Sequence, residues 1–218
     1  MNWLHRASAV LAFAVLLAVV SITVYGQRQT SSSANIQEIA QPDSIVPFTA
    51  DLLKRGSDHT FEGKYYRRED GSVREEGVVT IPGARPERVI GIVNLTRKIT
   101  YIFKESQGWA SGAIEADLAK PMRRRLNQPG VMSGLFPEEM PYEGRVVYRG
   151  VGSTGDYELL APDLNFFAVV TQSARSGRRA EYHNITIGSQ PDALFELPAG
   201  AVVTTTFQPI RPSPVAKQ

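Results

Sequence analysis

The stretch TFEGKYYRREDGSVREEGVVTI, which runs from Thr60 to Ile81, alternates apolar and polar residues on both sides of Asp70-Gly71-Ser72. Alternation with a period of two residues is typical of a strand that has one buried face. Gly71 can supply the positive φ that a short loop between antiparallel strands requires. The stretch therefore predicts a β-hairpin, and it indicates that antiparallel sheet is the basic structure of the chain.

Charge decides between two registers of this hairpin. A loop of four residues would place Arg67 opposite Arg74, which brings two like charges together. A loop of three residues places Arg67 opposite Glu75, so this second register is favoured. The large apolar side chains of both strands then share one face, which is lined by Phe61, Tyr65, Val79 and Ile81.

A second hairpin follows the first. Two apolar runs, Val89 to Val93 and Ile99 to Phe103, flank a turn-prone segment at residues 94–97. Tyr101 and Phe103 share one face of the second run. A further strand is expected from Trp109 to Glu115, so the β pattern continues beyond this hairpin.

Short β-type runs resume after an interruption in the middle of the chain, at residues 145–149, 157–160, 164–171, 180–187 and 201–207. In the interruption, Asp117 to Leu126 predicts a short amphipathic helix. The stretch from Gln128 to Pro141 predicts a long loop. The expected fold is mainly β (α+β), with roughly nine strands in consecutive hairpins. They form a single curved antiparallel sheet, a half-barrel, with one or two short helices on one face.

An apolar N-terminal segment predicts export. His5 and Arg6 precede a run from Ala7 to Val20 that is apolar apart from one serine. About a dozen apolar residues suit a signal peptide better than a membrane span, which needs about 20. Small residues before Gln27 would allow cleavage there. Counted over residues 7–25, however, the run is long enough to anchor the chain, so a cleaved signal and an uncleaved anchor both stay open.

The composition of the segments divides the chain into four parts. Residues 1–26 are the signal peptide or membrane anchor, and residues 27–47 are a polar linker. Residues 48–208 are the β half-barrel domain, and residues 209–218 are a proline-rich, disordered tail. The expected location is exported, either periplasmic or secreted, or anchored to the inner membrane by one N-terminal span.

Composition also excludes several kinds of function. The formal net charge is +2, with both signs interspersed, and such a balance gives no field that would attract nucleic acid. The chain contains no cysteine, which excludes a disulfide, a thiolate metal site, a thiol nucleophile and a lipid-modified N-terminal cysteine.

No set of residues in the sequence predicts catalysis, metal binding or a cofactor. Of the three histidines, His5 lies in the export segment, and His59 and His183 lack further ligands at useful spacing. The glycine-rich run at residues 150–155 lacks the lysine and the following helix of a phosphate-binding loop. The chain is therefore expected not to be an enzyme. A hydrolase triad that uses His183 is kept as a minor alternative, because triads assemble from distant positions.

Several runs together resemble a known group of proteins. The first hairpin loop resembles "RR.DGS.R", and the run that ends in Thr100-Tyr101-Ile102 resembles "I.N…K.TYI". Residues 161–165 resemble "SPDLN", and residues 184–200 resemble a closing segment that ends in "LFE.PAG". These runs are typical of secreted bacterial proteins of unknown function. Their pattern is similar to the half-barrel of periplasmic lipoprotein carriers and of the related sensor domain that binds an anti-sigma factor. The resemblance implies a bacterial source and a lipoprotein-localisation-like fold, and it implies no activity.

An open sheet of this kind leaves an apolar concave face, where we expect a ligand to bind. A lipid-like molecule or the acyl chain of a lipidated protein would suit such a face. The residues expected to line the site are Phe61, Tyr65, Val79, Ile81, Tyr101, Phe103 and Trp109. The alternative is a membrane-tethered interaction or sensor domain that recognises another envelope protein through the loop at residues 128–141.

Overall fold

A computed structural model describes residues 45–114, 138–151 and 154–204. The N-terminal segment, the helix predicted over residues 117–126, most of the loop predicted over residues 128–141 and the C-terminal tail lie outside the described residues. Within the described ranges, no helix has the length and apolar character that a membrane crossing requires.

The described residues form one curved, open sheet of twelve strands. In chain order the strands are β1 (Phe48–Arg55), β2 (Thr60–Arg67), β3 (Val73–Thr80), β4 (Glu87–Asn94), β5 (Ile99–Lys104), β6 (Gly108–Ala113), β7 (Glu138–Tyr142), β8 (Arg145–Val151), β9 (Tyr157–Ala161), β10 (Phe167–Gln172), β11 (Arg179–Ile187) and β12 (Val203–Thr204). Their order across the sheet is β12-β6-β5-β4-β3-β2-β1-β11-β10-β9-β8-β7.

Neighbouring strands are antiparallel, apart from β12, which runs parallel to β6. Helical structure in these residues is limited to two short 3₁₀ turns, Pro162–Leu164 and Asp192–Phe195. The predicted fold class, a mainly β chain with a single curved sheet, is confirmed.

Two strands were not predicted from the sequence, and one of them joins the two halves of the chain. β1 lies between β2 and β11. Its residues Phe48, Ala50 and Leu52 alternate as in any half-buried strand, but the run directly follows a polar segment. β7 falls in a stretch that was predicted as a loop because of residues such as Pro141. β7 is an edge strand, and an edge strand tolerates a proline.

The first hairpin has a different register from the predicted one. Arg67 lies opposite Val73 rather than Glu75, so the loop spans residues 68–72. The prediction is wrong because the Asp70 carboxylate closes a wider loop, in which it accepts hydrogen bonds from the backbone N–H and the hydroxyl of Ser72, both at 2.8 Å. A shift of two residues leaves every side chain on its predicted face, so Phe61, Tyr65 and Val79 still lie together.

A pair of glycines lets β2 and β3 approach each other closely. Gly63 lies opposite Gly77, and a Cβ added at Gly63 would lie 2.1 Å from the carbonyl oxygen of Glu76. A Cβ at Gly77 would lie 2.2 Å from the carbonyl oxygen of Glu62. No side chain fits in either place, and glycines at such positions permit the tight coiling that a curved sheet needs.

The sheet buries apolar side chains on both faces. On one face the ring of Phe167 in β10 lies 5.0 Å from the ring of Phe48 in β1 and 6.0 Å from that of Tyr65 in β2. Because β11 and β1 separate β10 from β2, the sheet must curl with this face inside. We call the buried residues on this side the concave cluster. Its members are Phe48, Ala50, Leu52, Phe61, Tyr65, Val79, Val89, Val147, Leu159, Ala161, Leu164, Val169, Val170 and Tyr182.

A second cluster lies on the opposite face, where the C-terminal segment covers it. This convex cluster consists of Ile90, Ile92, Tyr101, Trp109 and Phe195, with Leu194 and Leu197 packed against it. In the described residues, therefore, it is the segment after β11, with its 3₁₀ turn, that covers this part of the sheet.

Candidate interaction site

The seven residues predicted to line one ligand site do not share a face. Phe61, Tyr65, Val79 and Ile81 belong to or pack against the concave cluster, and Tyr101, Phe103 and Trp109 belong to or pack against the convex cluster. Strand register is the reason. Tyr65 lies opposite Glu75, Glu75 opposite Gly91, and Gly91 opposite Ile102, so Ile102 shares the concave face with Tyr65. Its neighbours in β5, Tyr101 and Phe103, therefore point to the convex face.

Both groups are packed against other side chains. Tyr65 is 3% exposed, and Phe61 and Trp109 are each 8% exposed. The ring of Tyr65 meets that of Tyr182 edge-on at 5.0 Å, and the ring of Phe103 lies 5.2 Å from that of Trp109. A ligand would reach these side chains only if the packing opened.

Residues from three of the four runs that carry the resemblance meet at one end of the sheet. Arg68 donates hydrogen bonds to both carboxylate oxygens of Asp70, at 3.0 and 2.5 Å, and to Asp192 at 2.8 Å. Its guanidinium also lies 4.9 Å from the centre of the Phe195 ring. Thr96 donates to Asp70 at 2.6 Å. These contacts join the β2–β3 loop, the β4–β5 loop and the C-terminal segment, so the motif residues have a structural role.

Two further polar side chains fasten the C-terminal segment. The amide of Asn94, which is buried, donates to the carbonyl oxygen of Phe195 at 3.2 Å, and its side-chain oxygen accepts from the Arg97 N–H at 2.9 Å. Arg74 donates to the carbonyl oxygen of Leu194 at 2.9 Å. The segment is therefore held over the convex cluster by hydrogen bonds as well as by apolar contacts.

β11 leaves part of one edge without a strand. β1 pairs with β11 from Arg179 to Ile187, but the pairing with β10 covers only residues 179–181. From Tyr182 onward, the side of β11 that faces away from β1 has no strand partner in the described part of the chain.

Three side chains next to the β7–β8 turn bond to this edge instead. The hydroxyl of Tyr142 donates to the carbonyl oxygen of Tyr182 at 3.2 Å. The backbone N–H of Asn184 donates to the carboxylate of Glu143 at 2.9 Å. Arg145 donates to the carbonyl oxygen of Ile185 at 2.8 Å. Backbone polar groups need such partners, and we call Tyr142, Glu143 and Arg145 the edge cap.

The edge cap is held in an uncommon backbone conformation. Glu143 has φ +49° and Asn184 has φ +50°. Asparagine tolerates the left-handed region, whereas a glutamate there is unusual and costs about 1–2 kcal/mol. The two-residue β7–β8 turn accounts for the φ of Glu143, which is followed by Gly144 at φ +77°. Asn184 lies where the pairing of β1 with β11 is irregular.

His183 contributes to the cap without forming a catalytic relay. Its Nδ1 lies 2.6 Å from the Glu143 carboxylate and 3.3 Å from the Tyr142 hydroxyl. In a catalytic triad the carboxylate and the nucleophile contact opposite nitrogens of the ring, and here both contacts share one nitrogen. In the described ranges there is also no group of three or more His, Asp or Glu residues that could hold a metal.

Asp51 in β1 supports the same region. Its carboxylate accepts a hydrogen bond from the Asn184 amide at 2.7 Å and forms an ion pair with Lys64. These two contacts, the Asn184 bond first, lower the pKa of Asp51. Asn184 is therefore fixed from both sides, by Asp51 and by the edge cap. The pKa of Tyr142 is raised, chiefly by its burial, so its hydroxyl keeps the proton that it donates.

A surface groove of about 520 Å³ adjoins the edge cap. It is lined by Glu143, Gly144, Arg145, Val146, Pro162 and Asp163. Arg145 forms an ion pair with Asp163, and Val146 is 57% exposed. The groove therefore combines two carboxylates and one guanidinium with an exposed apolar side chain.

The groove residues were not predicted from the sequence. They come from the β7–β8 turn and from the segment after β9, and they meet β11 only because the sheet curls. Two weak signals exist. Pro162 and Asp163 lie in the "SPDLN"-like run, and Glu143-Gly144 has the composition of a turn.

Comparisons with known proteins give structural neighbours only. No protein-family model matches the chain, and no curated protein gives a significant sequence match. The solved complex of Pseudomonas aeruginosa MucA and MucB is similar over 73% of this chain and 58% of that chain, at 14% identity and a TM-score of 0.40.

Two further MucB structures are similar at the same level. One is MucB in complex with MucA(peri), with 13% identity over 74% of this chain and 57% of that chain and a TM-score of 0.36. The other is MucB alone, with 16% identity over 72% of this chain and 58% of that chain and a TM-score of 0.37. This chain thus spans less than two thirds of the length of those chains.

Proposed function

We propose that this protein is a non-enzymatic, exported domain that recognises a segment of another envelope protein at the groove beside the edge cap. The observation that carries the proposal is the lining of the groove, which presents Glu143, Arg145 and Asp163 next to the exposed Val146. Protein interfaces combine charged or polar groups with apolar contacts in this way. An acyl chain would take these charged groups out of water without offering them a polar contact.

The proposal is tested by photo-crosslinking from inside the groove. A photoreactive amino acid at position 146 should give one discrete protein adduct in cells that express the full chain. Position 78 is a matched control, since Val78 is also an exposed valine in a strand, at 42%, and it should give no such adduct. Equal adducts at both positions, or none at position 146, would contradict the proposal.

A second candidate function, binding of a lipid-like molecule or a lipidated protein on the concave face, is favoured by one observation. Gly91 is buried, yet an added Cβ there would meet no heavy atom within 4 Å among the described residues. It lies between Glu75 and Ile102. Space above this glycine would receive an apolar group beside the concave residues of the predicted site, namely Phe61, Tyr65, Val79 and Ile81.

Native mass spectrometry of protein purified from membranes tests this second candidate. A bound lipid should be present in the parent protein and reduced in Gly91→Leu, because leucine would fill the space. Gly188→Leu is the control, since Gly188 is exposed and also has an open surrounding. An empty parent protein, or equal loss of lipid in both variants, would count against lipid binding.

A further inference from the structure

We infer that the edge of β11 over residues 182–187, which has no strand partner among the described residues, is a docking site for a β-strand, at which an extended segment of the partner adds to the sheet after the edge cap has moved aside. The inference rests on the proposed function, since it specifies how a protein segment would bind beside the groove. The occupant is a segment that carries a basic side chain between apolar ones.

Backbone polar groups line this edge of β11. The carbonyl oxygen of Tyr182, the N–H of Asn184 and the carbonyl oxygen of Ile185 each bond to a single side chain of the edge cap. An unpaired strand edge is a template for another strand, and peptide recognition by strand addition uses this kind of row. An incoming strand would satisfy these groups with its own backbone.

The edge cap is built from a single turn. All three capping side chains come from residues 142–145, so one movement of this turn frees the whole row. Glu143 is exposed, and pairing of Tyr142 with Arg145 closes the two-residue turn, so the turn would move as a unit.

The chemistry of the surroundings defines the occupant. Arg145 forms an ion pair with Asp163, so movement of the edge cap takes this guanidinium away from the carboxylate. Asp163, which lies outside the edge cap, then favours a basic side chain on the entering segment. Val146 and Ile187 are 57% and 49% exposed, and they offer contacts to apolar side chains. In an extended segment, side chains alternate between the two faces of the sheet.

Synthetic peptides test the docking mode on the full chain. The probe is a fluorescent peptide of about ten residues, alternating valine and threonine with one central lysine, and its binding is measured by anisotropy. Methylating alternate backbone nitrogens should lower the affinity at least about tenfold, because those N–H groups can no longer pair with β11. Replacing the lysine by glutamate should also weaken binding.

A variant of the edge cap tests whether the cap competes with the bound peptide or only supports the fold. Tyr142→Phe removes the bond to the Tyr182 carbonyl oxygen, so the probe should bind about fivefold more tightly. Tyr148→Phe is the matched control in β8, outside the edge cap, and should leave the affinity unchanged. If Tyr142→Phe does not fold, hydrogen exchange on the parent protein replaces it. The backbone N–H of Asn184 should exchange about tenfold more slowly when the unmethylated probe is present, and the methylated probe should not slow it.

The outcomes distinguish the two proposals. If the methylated and unmethylated probes bind equally, or if no probe binds while position 146 still crosslinks a protein, strand docking is overturned and the proposed function stands. If no probe binds and position 146 gives no adduct, both are overturned.

Discussion

Asp70 organises the loop end of the sheet by accepting hydrogen bonds on both of its carboxylate oxygens. It receives them from Arg68, Thr96 and Ser72. Burial alone would raise the pKa of Asp70, but these hydrogen bonds outweigh it and hold the pKa well below its usual range. The folded protein therefore binds this proton more weakly than the unfolded chain does.

Asp70→Asn should remove part of the acid sensitivity of the fold. The stability that Asp70 contributes is fully present above the unfolded pKa of about 4, and it is lost as the pH falls towards the lower folded value. Urea unfolding between about pH 2 and pH 7 should show a flatter dependence below pH 4 in the variant, and a loss of about 1–3 kcal/mol at neutral pH. Asp58→Asn, in the β1–β2 loop, is the control. An unchanged acid slope in Asp70→Asn would refute this account.

Tyr182 is the opposite case, a hydroxyl without a partner. The residue is fully buried, and its hydroxyl has no hydrogen bond in the part of the chain that the structure describes. Burial of an unsatisfied polar group costs about 1–3 kcal/mol. The ring itself packs edge-on against Tyr65 and Phe167 at 5.0 Å in each case, so the apolar part of the side chain is what the core requires.

Tyr182→Phe should therefore leave the free energy of unfolding unchanged or raise it by up to about 1 kcal/mol. Tyr142→Phe, by contrast, should lower it by about 0.5–1.5 kcal/mol, because that hydroxyl donates to the Tyr182 carbonyl oxygen. Denaturant titrations of both variants give the comparison. A loss of stability in Tyr182→Phe as large as in Tyr142→Phe would show that the Tyr182 hydroxyl has a partner.

At the scale of elements, β2 and β3 form a hairpin whose loop and centre obey different constraints. The loop is set by Asp70, and the centre is set by the pairing of Gly63 with Gly77. At each glycine an added Cβ would fall within 2.2 Å of a carbonyl oxygen of the opposite strand. The strands would have to separate to admit a side chain, and the curvature on which the concave cluster depends would be lost with them.

Gly63→Ala should destabilise the protein by about 1–3 kcal/mol or more, since backbone rather than a flexible side chain has to move. Gly91→Ala is the matched control in β4 of the same sheet, where a Cβ would meet no heavy atom within 4 Å among the described residues. It should be neutral or stabilise the protein slightly. Thermal unfolding of the two variants checks the difference, and equal midpoints would show that the close approach is not required.

At the scale of the whole molecule, one sheet supports two apolar clusters on opposite faces. The concave cluster combines strands from both halves of the chain, whereas the convex cluster depends on the C-terminal segment and Phe195. Because β2 and β4 have side chains in or packed against both clusters, loss of one cluster weakens the strands that form the other. The described residues should therefore unfold as one cooperative unit.

Phe195→Ala tests this cooperativity. Removing a fully buried phenylalanine should lower the free energy of unfolding by about 3–5 kcal/mol. In a Trp3→Phe background, the fluorescence of Trp109 reports on the convex cluster alone, and circular dichroism reports on the sheet. Both probes should shift to the same lower urea midpoint. Two separate midpoints would mean that the two faces unfold independently.

The sequence by itself determined the fold class and most of the strands. Period-two alternation and glycine-containing turns are local signals, so the hairpins around residues 60–81 and 89–103 could be predicted without knowledge of distant contacts. Phe61, Tyr65 and Val79 lie on one face as predicted, although the predicted register of their hairpin was wrong. The observed register differs from it by two residues, and an even shift keeps each side chain on its face. Export and the division into segments stay predictions, since they depend on residues outside the described ranges.

Only the tertiary structure decided the register, the second face and the candidate site. The register depends on Asp70, whose partner Thr96 belongs to another loop, and local charge pairing could not reveal it. The predicted ligand residues lie on two faces of the sheet. The alternation within one strand shows which of its residues share a face, but it does not show which face of a distant strand lies on the same side of the sheet. The edge cap and the groove arise where the curled sheet brings residues 142–145 against residues 182–185, which lie far apart in sequence. Contacts at that separation depend on curvature, and curvature is a property of the whole sheet rather than of any one of its strands.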